Sequence, residues 1–414
     1  MIWVSGGLFI ATLYVFLTRG GYSSTLEWFT AKGIIPGASQ QQLAEEAAEE
    51  VEKPSQPPPS RHAIAQLQTF ITDMPVEHVP TWDPPYPDPA PAQAPSYIQR
   101  PTSSSTTAPK RRRLIIIGDV HGQLDALRTI LRKIDFDQGS GDHLVLAGDL
   151  VNKGPDSDGV VQLAMDVGAS AVRGNHDDVI LRVHTDLTKA VFNKRDEHHY
   201  STVHSLSDAS IAWLSALPVI LRMRIPAGSS SPPWNAGQLV IVHAGLVPGL
   251  ELEEQDPWAV MNMRSLIYPM YEDNGPRTWA LAEPRVLQEG EGWSTMWNRY
   301  QNGVVREDER VVVVYGHDAK MGLQVDIEVE VGESGAEVSS ESKLELGKGT
   351  KEEEQDDKKD KNGKKQSGIR YAFGLDSGCV YGRQLTALIL EAGPGGIMHR
   401  VEQVDCEAAV KPSG

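Results

Sequence analysis

The chain of 414 residues contains only two cysteines, Cys379 and Cys406, and this scarcity excludes several kinds of protein. Two cysteines cannot form the disulfide framework of a small secreted module, and no cysteine cluster indicates a structural zinc site. We therefore predict that Cys379 is a small buried apolar residue.

The sequence is also poor in positive charge. Its 39 Lys and Arg residues stand against 56 Asp and Glu residues, which gives a formal net charge of −17. A protein that binds nucleic acid by neutralising many phosphates needs a basic surface, so no bulk nucleic-acid binding is expected. Hydrophobic residues make up 40% of the chain, which is enough for a large soluble core.

Long apolar runs are scarce as well, and the clearest is Ile2–Thr18 at the N-terminus. It is uncharged and near the lower limit of about 17 residues that spans a bilayer, so we predict a membrane anchor in residues 1–20. A cleaved signal peptide is the alternative, although no basic residue precedes the run. Arg19 and Lys32 follow the run, which favours a cytosolic location for the rest of the chain.

Two segments have compositions that do not favour a packed core. Residues 21–109 are acidic and rich in proline, with 14 of the 27 prolines after position 53, and they are predicted to be a flexible linker. Within this linker, His62–Met74 is predicted to be a helix that docks on the core. Residues 328–368 are rich in charge and poor in aromatic residues, and they are predicted to be a disordered insertion.

Residues 110–414 have the pattern of an α/β domain. Buried strands are predicted where β-branched and aliphatic residues run together, as in Leu114–Ile117 and Val311–Tyr315, and helices where apolar residues recur at helical spacing, as in Leu124–Ile134. Strand and helix alternate along the chain, which is typical of a layered α/β fold.

Polar residues of similar chemistry follow five of the predicted strands. They occur in LIIIGDVHG, LVLAGDLVNKGP, AVRGNHDD, LVIVHAGL and VVVVYGHDA. The carboxyl ends of strands in an α/β sheet are where ligands and catalytic groups gather, so we expect these five loops to meet at one edge. Their Asp, Asn and His residues are a ligand set for two divalent cations, and imidazole with carboxylate favours Zn, Fe, Mn or Co, with Mg as an alternative.

These motifs resemble those of the calcineurin-like metallophosphoesterases within the phosphoprotein phosphatase superfamily. Asn152 and Lys153 stand where the Ser/Thr protein phosphatases have Asp and Arg. This difference, with GHDAKMGLQ and LDSGCVYGRQLTAL, is similar to the bacterial diadenosine tetraphosphatases and their eukaryotic relatives. Among the latter, with its predicted N-terminal anchor, the chain resembles the fungal zinc-dependent vacuolar endopolyphosphatases. The resemblance implies a layered sandwich of two mixed β-sheets flanked by helices, after a disordered N-terminal tether.

The resemblance also implies the roles of individual residues. A hydroxide that bridges two metals attacks phosphorus, and His176 is the general acid that protonates the leaving oxygen. Asn152 would orient His176, Lys153 would hold phosphate, and Arg173 would be a phosphate clamp. The implied metal ligands are Asp119, His121, Asp149, Asn175, His243 and His317.

The departures at Asn152 and Lys153 favour a phosphoanhydride substrate. Asn152 can accept a hydrogen bond through its amide oxygen, but it stabilises an imidazolium less than a carboxylate does. Lys153 is a point charge without the two-pronged grip of arginine, which suits one oxygen of a polyphosphate chain. The expected activity is that of an endopolyphosphatase acting on inorganic polyphosphate. The alternatives are a dinucleoside tetraphosphate or RNA-cap pyrophosphohydrolase and a Ser/Thr protein phosphatase.

Other candidate residues and the location carry weaker signals. Arg264 and Arg299 are each a candidate for a second phosphate-binding cation, and Glu197–Tyr200, with its adjacent histidines, is predicted to lie on the surface. The resemblance implies a membrane-anchored protein of the vacuole, whereas the charges after the anchor favour the cytoplasm. No protein partner can be predicted.

Overall fold

The computed structural model of the chain describes residues 67–75, 78, 80, 112–191, 193–226, 230–268, 279–331, 367–393 and 395–408. The predicted anchor in residues 1–20 and most of the predicted linker lie outside these residues. Within them, none of the helices combines the length and the apolar character needed to cross a bilayer.

The first of two five-stranded sheets contains three parallel strands, and the loops that follow these strands carry predicted site residues. In spatial order it contains β15 (Gly396–Asp405), β14 (Gln384–Gly393), β2 (Arg113–Ile117), β3 (His143–Leu146) and β4 (Ser170–Ala171). Strands β2, β3 and β4 are parallel, whereas β14 is antiparallel to both of its neighbours. The sheet is therefore mixed.

The second sheet is also mixed. In spatial order it contains β1 (Ile71–Asp73), β5 (Ile220–Arg224), β6 (Gln238–Val242), β10 (Val311–Tyr315) and β13 (Ala372–Gly374). Strands β6, β10 and β13 run parallel, and β5 pairs antiparallel with β6. Two small sheets accompany it: β7 (Ser265–Ile267) with β8 (Glu283–Arg285) and β9 (Glu291–Gly292), and β11 (Glu328–Glu330) with β12 (Ser367–Ile369).

Seven α-helices are present in the described part of the chain. They are α1 (Leu124–Lys133), α2 (Ser157–Asp166), α3 (Asn175–Thr188), α4 (Tyr200–Ser205), α5 (Asp208–Ala216), α6 (Pro257–Asn262) and α7 (Trp293–Gly303). Helix α1 begins at the predicted Leu124 and ends one residue before the predicted Ile134, and its buried residues lie on one face.

The side chains of β2 show how the layers are stacked. Leu114 and Ile116 pack with the residues of the second sheet, whereas Ile115 and Ile117 pack with the apolar faces of α1, α2 and α3. Because alternate residues of a strand point to opposite faces, the continuous apolar run is buried on both sides. The prediction of a sandwich of two mixed sheets flanked by helices is confirmed.

Two domain boundaries need correction. Part of the predicted docking helix His62–Met74, within the predicted linker, is instead the edge strand β1, which pairs in parallel with β5 of the α/β domain. The predicted insertion 328–368 begins and ends in strands, because β11 and β12 pair antiparallel. These edge strands have three residues each and carry no buried apolar run, which is the signal on which the sequence prediction depended.

The prediction for Cys379 is correct in burial but wrong in chemistry. Cys379 is 1% exposed, and it forms a disulfide with Cys406, 27 residues further along the chain. The antiparallel pairing of β14 with β15 sets Gln384 opposite Asp405, and this brings the two cysteines together. Sequence spacing alone could not show this, because it depends on where the hairpin turns.

Candidate active site

Loops from both sheets bring the predicted site residues together. In the first sheet Ile117 lies opposite Leu146, so the loops after β2 and β3 leave from the same edge. In the second sheet Ile241 lies opposite Val314, with the same consequence for the loops after β6 and β10. The six predicted metal ligands follow these strands and β4, and they lie within one cluster.

The rings of His121 and His243 are held from behind by backbone carbonyls. Nδ1 of His121 is 3.2 Å from the oxygen of Val151, and Nδ1 of His243 is 2.9 Å from the oxygen of Ala147. A carbonyl can only accept, so each Nδ1 carries a proton. The Nε2 atom of each ring therefore faces the cluster, which is how histidine ligands of metals are commonly oriented.

His317 reaches the same cluster with its other nitrogen. Its Nε2 is 3.2 Å from the carbonyl oxygen of Asn262, which leaves Nδ1 directed inward. That Nδ1 lies 3.1 Å from Oδ1 of Asn175 and 3.2 Å from Nε2 of His243. The Asn175 oxygen is also 3.0 Å from Nε2 of His243. Two ring nitrogens and an amide oxygen thus converge on one point.

The Asp149 carboxylate lies between two groups of candidate ligands. Its Oδ2 is 3.3 Å from Nε2 of His121, and its Oδ1 is 3.3 Å from Nε2 of His243. Oδ2 of Asp119 is 3.8 Å from the same nitrogen of His121. Asp149 is therefore placed to contact two cations at once.

The electrostatics of the cluster indicate that it is built around positive charge. Burial and the neighbouring Asp376 raise the pKa of Asp119 well above its usual range. Burial opposes the charged form of His243, yet Asp149 and Asp119 outweigh it and raise its pKa to about 10. Burial would also raise the pKa of Asp149, but His243 and the neighbouring rings hold it well below its usual range.

These donors fit divalent cations. Within the described residues, ligand atoms of His121, Asp149 and His176 lie within 4.8 Å of one another, and so do those of Asp119, Asp149 and His243. Buried carboxylates gathered with inward-facing imidazole nitrogens are compensated best by a bound cation. Mixed nitrogen and oxygen donors suit transition metals or zinc.

The backbone around the cluster is conformationally strained. Seven described residues other than glycine have positive φ angles, and five of them are His121, Asp149, Asn152, Lys153 and His317. Such conformations cost free energy and tend to persist at functional sites, where the surrounding structure enforces them. Gly148 has φ of 88°, and a Cβ there would lie 2.7 Å from Nδ1 of His243. Glycine is required at that position.

His176 lies beside the cluster, and its contact with Asn152 differs from the expectation. Oδ1 of Asn152 accepts a hydrogen bond from the backbone N–H of Lys153 at 2.9 Å. The amide nitrogen therefore faces His176, with Nδ2 2.9 Å from Nδ1 of that ring. The expectation that Asn152 accepts through its oxygen is wrong, because the backbone of the next residue already occupies the oxygen.

Lys153 lies at the candidate site. Its side chain is exposed, and Nζ lies 3.0 Å from Nε2 of His121. The same Nζ is 6.0 Å from the centre of the Tyr381 ring. A flexible cation is thus positioned at the border between the ligand cluster and solvent.

Arg173 does not fit the predicted role of a phosphate clamp. Its side chain is fully buried, and its guanidinium group donates to the carboxylate of Asp178 at 3.2 Å and to the carbonyl of Ser215 at 2.8 Å. These contacts fix α3 to α5. A residue immediately after a buried strand can point either to the loop edge or into the core, and here packing selects the core.

The two weaker arginine candidates separate in the structure. Arg264 lies next to the site, 3.2 Å from both the carbonyl oxygen of His317 and a carboxylate oxygen of Asp318. Arg299 instead makes a two-pronged ion pair with Glu291. Only Arg264 is near enough to the cluster to assist a phosphate.

Two acidic residues of the site had no role in the sequence prediction, although one of them, Asp177, belongs to the motif AVRGNHDD. Asp177 is fully buried; its carboxylate accepts hydrogen bonds from the backbone N–H groups of Leu150, Val151 and Gly174. It thereby holds the Asp149 loop against the start of α3. Asp376, in LDSG, lies beside Asp119, and burial raises its pKa. The signal for Asp376 was its position two residues after a buried strand, the spacing that also places Asp119 after β2.

His199 was also missed, because the run Glu197–Tyr200 was predicted to lie on the surface. His199 is only 8% exposed, and its Nδ1 lies 3.1 Å from Nδ2 of Asn152. The adjacent His198 is exposed. Adjacent residues point in different directions, so a surface position for one of them does not determine the position of the other.

The comparison with protein families agrees with this geometry. A family model described as calcineurin-like phosphoesterase matches residues 112–321, which are about half of the chain and include all six predicted metal ligands. The chain belongs to the calcineurin-like phosphoesterase family.

More specific similarities point to one kind of relative. The chain is 33% identical over 143 residues to the symmetrical bis(5′-nucleosyl)-tetraphosphatase of Delftia acidovorans, covering 34% of this chain and 47% of the relative. It is 28% identical over 178 residues to the protein of the same name from Vibrio parahaemolyticus, covering 38% and 60%. The chain thus spans about half the length of the curated relatives it matches.

Two solved structures are also similar to the chain. A structure provisionally assigned as a diadenosine tetraphosphatase is 30% identical with a TM-score of 0.46, covering 71% of this chain and 93% of the other. A serine/threonine phosphatase from Saccharomyces cerevisiae is 13% identical with a TM-score of 0.36, covering 74% and 83%.

Proposed function

We propose that the protein hydrolyses internal phosphoanhydride bonds in a linear polyphosphate chain, with inorganic polyphosphate as the first substrate to test. One observation carries the choice of anhydride over ester: the amide nitrogen of Asn152 faces Nδ1 of His176. An N–H donor behind the ring stabilises neutral imidazole and disfavours imidazolium. Burial acts in the same direction and lowers the pKa of His176 to about 4.

A neutral His176 limits the leaving groups that can depart. An alkoxide from a serine phosphate needs a proton as it leaves, whereas a phosphate is a weak base with a second pKa of about 6. In anhydride hydrolysis a water oxygen forms the new P–O bond, the departing phosphate keeps the electron pair of the broken bond, and one proton is released. His176 can assist by donating a hydrogen bond without transferring its proton.

Two divalent cations fit the ligand cluster as candidate cofactors. When bound, such a pair lowers the pKa of water and neutralises charge on phosphate oxygens. Zn, Mn, Co and Fe suit the mixed donors, with Mg as the alternative. The proposed ligands are Asp119 and His121 for the first ion, Asp149 for both, and Asn175, His243 and His317 for the second. Lys153 and Arg264 supply further positive charge beside them.

Incubation of the purified protein with long-chain polyphosphate tests the proposal. Each metal ion is added separately, a chelator serves as the control, and products are separated on a sizing gel. Internal cleavage yields chains of intermediate length with little free phosphate. Intact polyphosphate, in a sample that dephosphorylates a phosphoserine peptide, would refute the proposal.

A second candidate substrate, a dinucleoside tetraphosphate, is favoured by an aromatic ring beside Lys153. Tyr381 is 62% exposed and lies in a loop fixed by the Cys379–Cys406 disulfide and by a β-bridge to Ala408. An exposed aromatic ring can stack on a nucleobase, which contributes about 1–3 kcal/mol. The names of the curated relatives point to the same substrate.

Tyr381 also distinguishes the two candidates experimentally. If a nucleoside end binds on its ring, Tyr381→Ala raises KM for diadenosine tetraphosphate about tenfold, Tyr381→Phe restores it, and polyphosphate cleavage is unaffected. Equal effects of Tyr381→Ala on both substrates would leave no support for base stacking.

We propose that the catalytic domain faces an oxidising lumen, with the vacuole as the expected compartment. The Cys379–Cys406 disulfide supports this side of the membrane, since disulfides persist mainly outside the reducing cytosol. The charges after the predicted anchor favour the opposite side. Protease protection of intact organelles distinguishes the two: degradation without detergent would contradict the lumenal location.

A further inference from the structure

The side chain of Asn152 connects His176 to a second histidine, His199, which belongs to none of the five sequence motifs. Asn152 lies between the two rings, with its Nδ2 2.9 Å from Nδ1 of His176 and 3.1 Å from Nδ1 of His199. A primary amide has two N–H bonds, and here each of them has one imidazole nitrogen as its acceptor. Both rings therefore carry their proton on Nε2.

The contact made by the amide oxygen of Asn152 also determines how the amide is oriented. The backbone N–H of Lys153 can only donate, and it lies 2.9 Å from Oδ1 of Asn152. Rotating the amide by 180° would set its oxygen towards both imidazole nitrogens and its N–H groups against the Lys153 donor. Asn152 and Lys153 have φ angles of 75° and 69°, a region that asparagine tolerates better than most residues.

His199 is held in place by contacts that do not involve the ligand cluster. It ends a 3₁₀ helix, Lys194–His199, in which Asp196 makes a two-pronged ion pair with Arg182 at 3.0 Å for each hydrogen bond. Arg182 lies on α3, the helix that begins with Asn175 and His176. The segment with His199 is thus attached to the helix that carries His176.

We propose that His199, acting through Asn152, is a positioning residue that fixes His176 in the tautomer with its proton on Nε2. His199 supplies the acceptor that holds the second amide N–H, so the first N–H stays on His176. The consequence for catalysis rests on the proposed anhydride hydrolysis: His176 donates a hydrogen bond from Nε2 to the phosphate and does not deliver a proton. The pair Asn152 and His199 thereby makes the site selective for phosphate leaving groups.

The tautomer is tested without turnover, by long-range ¹H–¹⁵N NMR of the metal-free protein labelled at histidine. The expected spectrum shows Nδ1 of His176 unprotonated and Nε2 protonated. Asn152→Asp replaces the donor with an acceptor and moves the proton to Nδ1, whereas His199→Phe gives a mixture of tautomers. His204→Gln, an exposed histidine on α4, is the matched control and leaves the His176 signals unchanged.

Activity gives the second readout, as the ratio of rates on tripolyphosphate and on a phosphoserine peptide. Asn152→Asp shifts this ratio about tenfold or more towards the ester, His199→Phe shifts it in the same direction by less, and His204→Gln does not shift it. Thermal melting confirms folding, and His199→Leu, which also lacks an acceptor, replaces His199→Phe if that variant is unfolded. A proton on Nδ1 in the wild type, an unchanged ratio in Asn152→Asp, or the wild-type tautomer and ratio in a folded His199 variant overturns the inference. Absence of anhydride hydrolysis in the wild type overturns the proposed function but leaves the NMR result valid.

Discussion

The histidines of the site fall into two groups whose surroundings are opposite. A backbone carbonyl lies behind each of His121, His243 and His317 and accepts a hydrogen bond from one ring nitrogen, so the other ring nitrogen faces the cluster and is the one available to a cation. The amide nitrogen of Asn152 lies behind His176 and donates a hydrogen bond to the lone pair of Nδ1, so the N–H of this ring is on Nε2. The residue type is the same, and the group behind the ring decides whether it binds a metal or donates a hydrogen bond.

The largest effect is expected at Asp149, which lies between the proposed ligands of the first cation and those of the second. Asp149→Asn removes a carboxylate that contacts both His121 and His243. We expect turnover to fall by more than the roughly 10²–10³-fold that loss of one charge-stabilising group costs. Steady-state kinetics with saturating metal measures this loss. Circular dichroism establishes that the variant is folded, and turnover within tenfold of the wild type would contradict the bimetallic site.

The second prediction compares the two groups directly through metal affinity. His121→Gln and His243→Gln each remove an inward-facing lone pair, and we expect affinity to fall by at least roughly 10–100-fold, which even an outer partner of a ligand can cost. His176→Gln removes a donor, and affinity should stay within about threefold of the wild type. Isothermal titration with Zn²⁺ or Mn²⁺ measures each variant.

The result for His176→Gln is the sharper one. Its ring lies near His121 and Asp149, close enough to be counted geometrically among the candidate ligands. If its removal weakens metal binding as much as that of His121, the contrast between the two groups disappears, and so does the assigned tautomer.

The parts of the site that sequence predicted are those that follow long buried strands. Asp119, Asp149, His243 and His317 each lie within three residues of the end of such a strand, and parallel strands bring their ends together. His199 could not be found in this way. Its position beside Asn152 depends on the ion pair between Arg182 and Asp196, which holds its segment against α3. Such contacts between separate segments have no sequence periodicity.

The fold shows the same limit. The strands with continuous apolar runs were predicted within a few residues, whereas β1 and β11 were missed because three-residue edge strands bury little. Arg173 was placed in the site by its position after a strand, yet it pairs with Asp178 in the core. A strand end fixes where the backbone leaves the sheet but not where a long side chain turns.

The third prediction concerns the loop that carries the exposed ring of Tyr381, at the solvent side of the candidate site. Cys406→Ser opens the disulfide that closes a loop of 27 residues, which is expected to cost about 3.5 kcal/mol of stability. The Tm of the variant should fall by several degrees, and a reducing agent should lower the Tm of the wild type to a similar value. Differential scanning calorimetry measures both, and a Tm insensitive to the substitution and to the reductant would contradict the pairing.

The smallest effect concerns a buried histidine outside the site, His143, whose ring stacks on that of His78 at 3.6 Å. Burial and His78 lower its pKa from 6.5 to about 4. Between these values the unfolded chain binds more protons than the folded one, so stability falls as the pH drops from 7 to 4. The expected contribution is of order 1–3 kcal/mol.

His143→Gln removes this titration and keeps a polar group near Ser170, whose Oγ lies 2.9 Å from Nε2 of the histidine. Urea denaturation of metal-free protein at pH 7 and pH 4.5 measures the difference, which should be smaller in the variant than in the wild type. An equal difference in both would mean that the ring accepts a proton without loss. His143 would then differ from His176, whose neutral form is favoured by a hydrogen-bond donor as well as by burial.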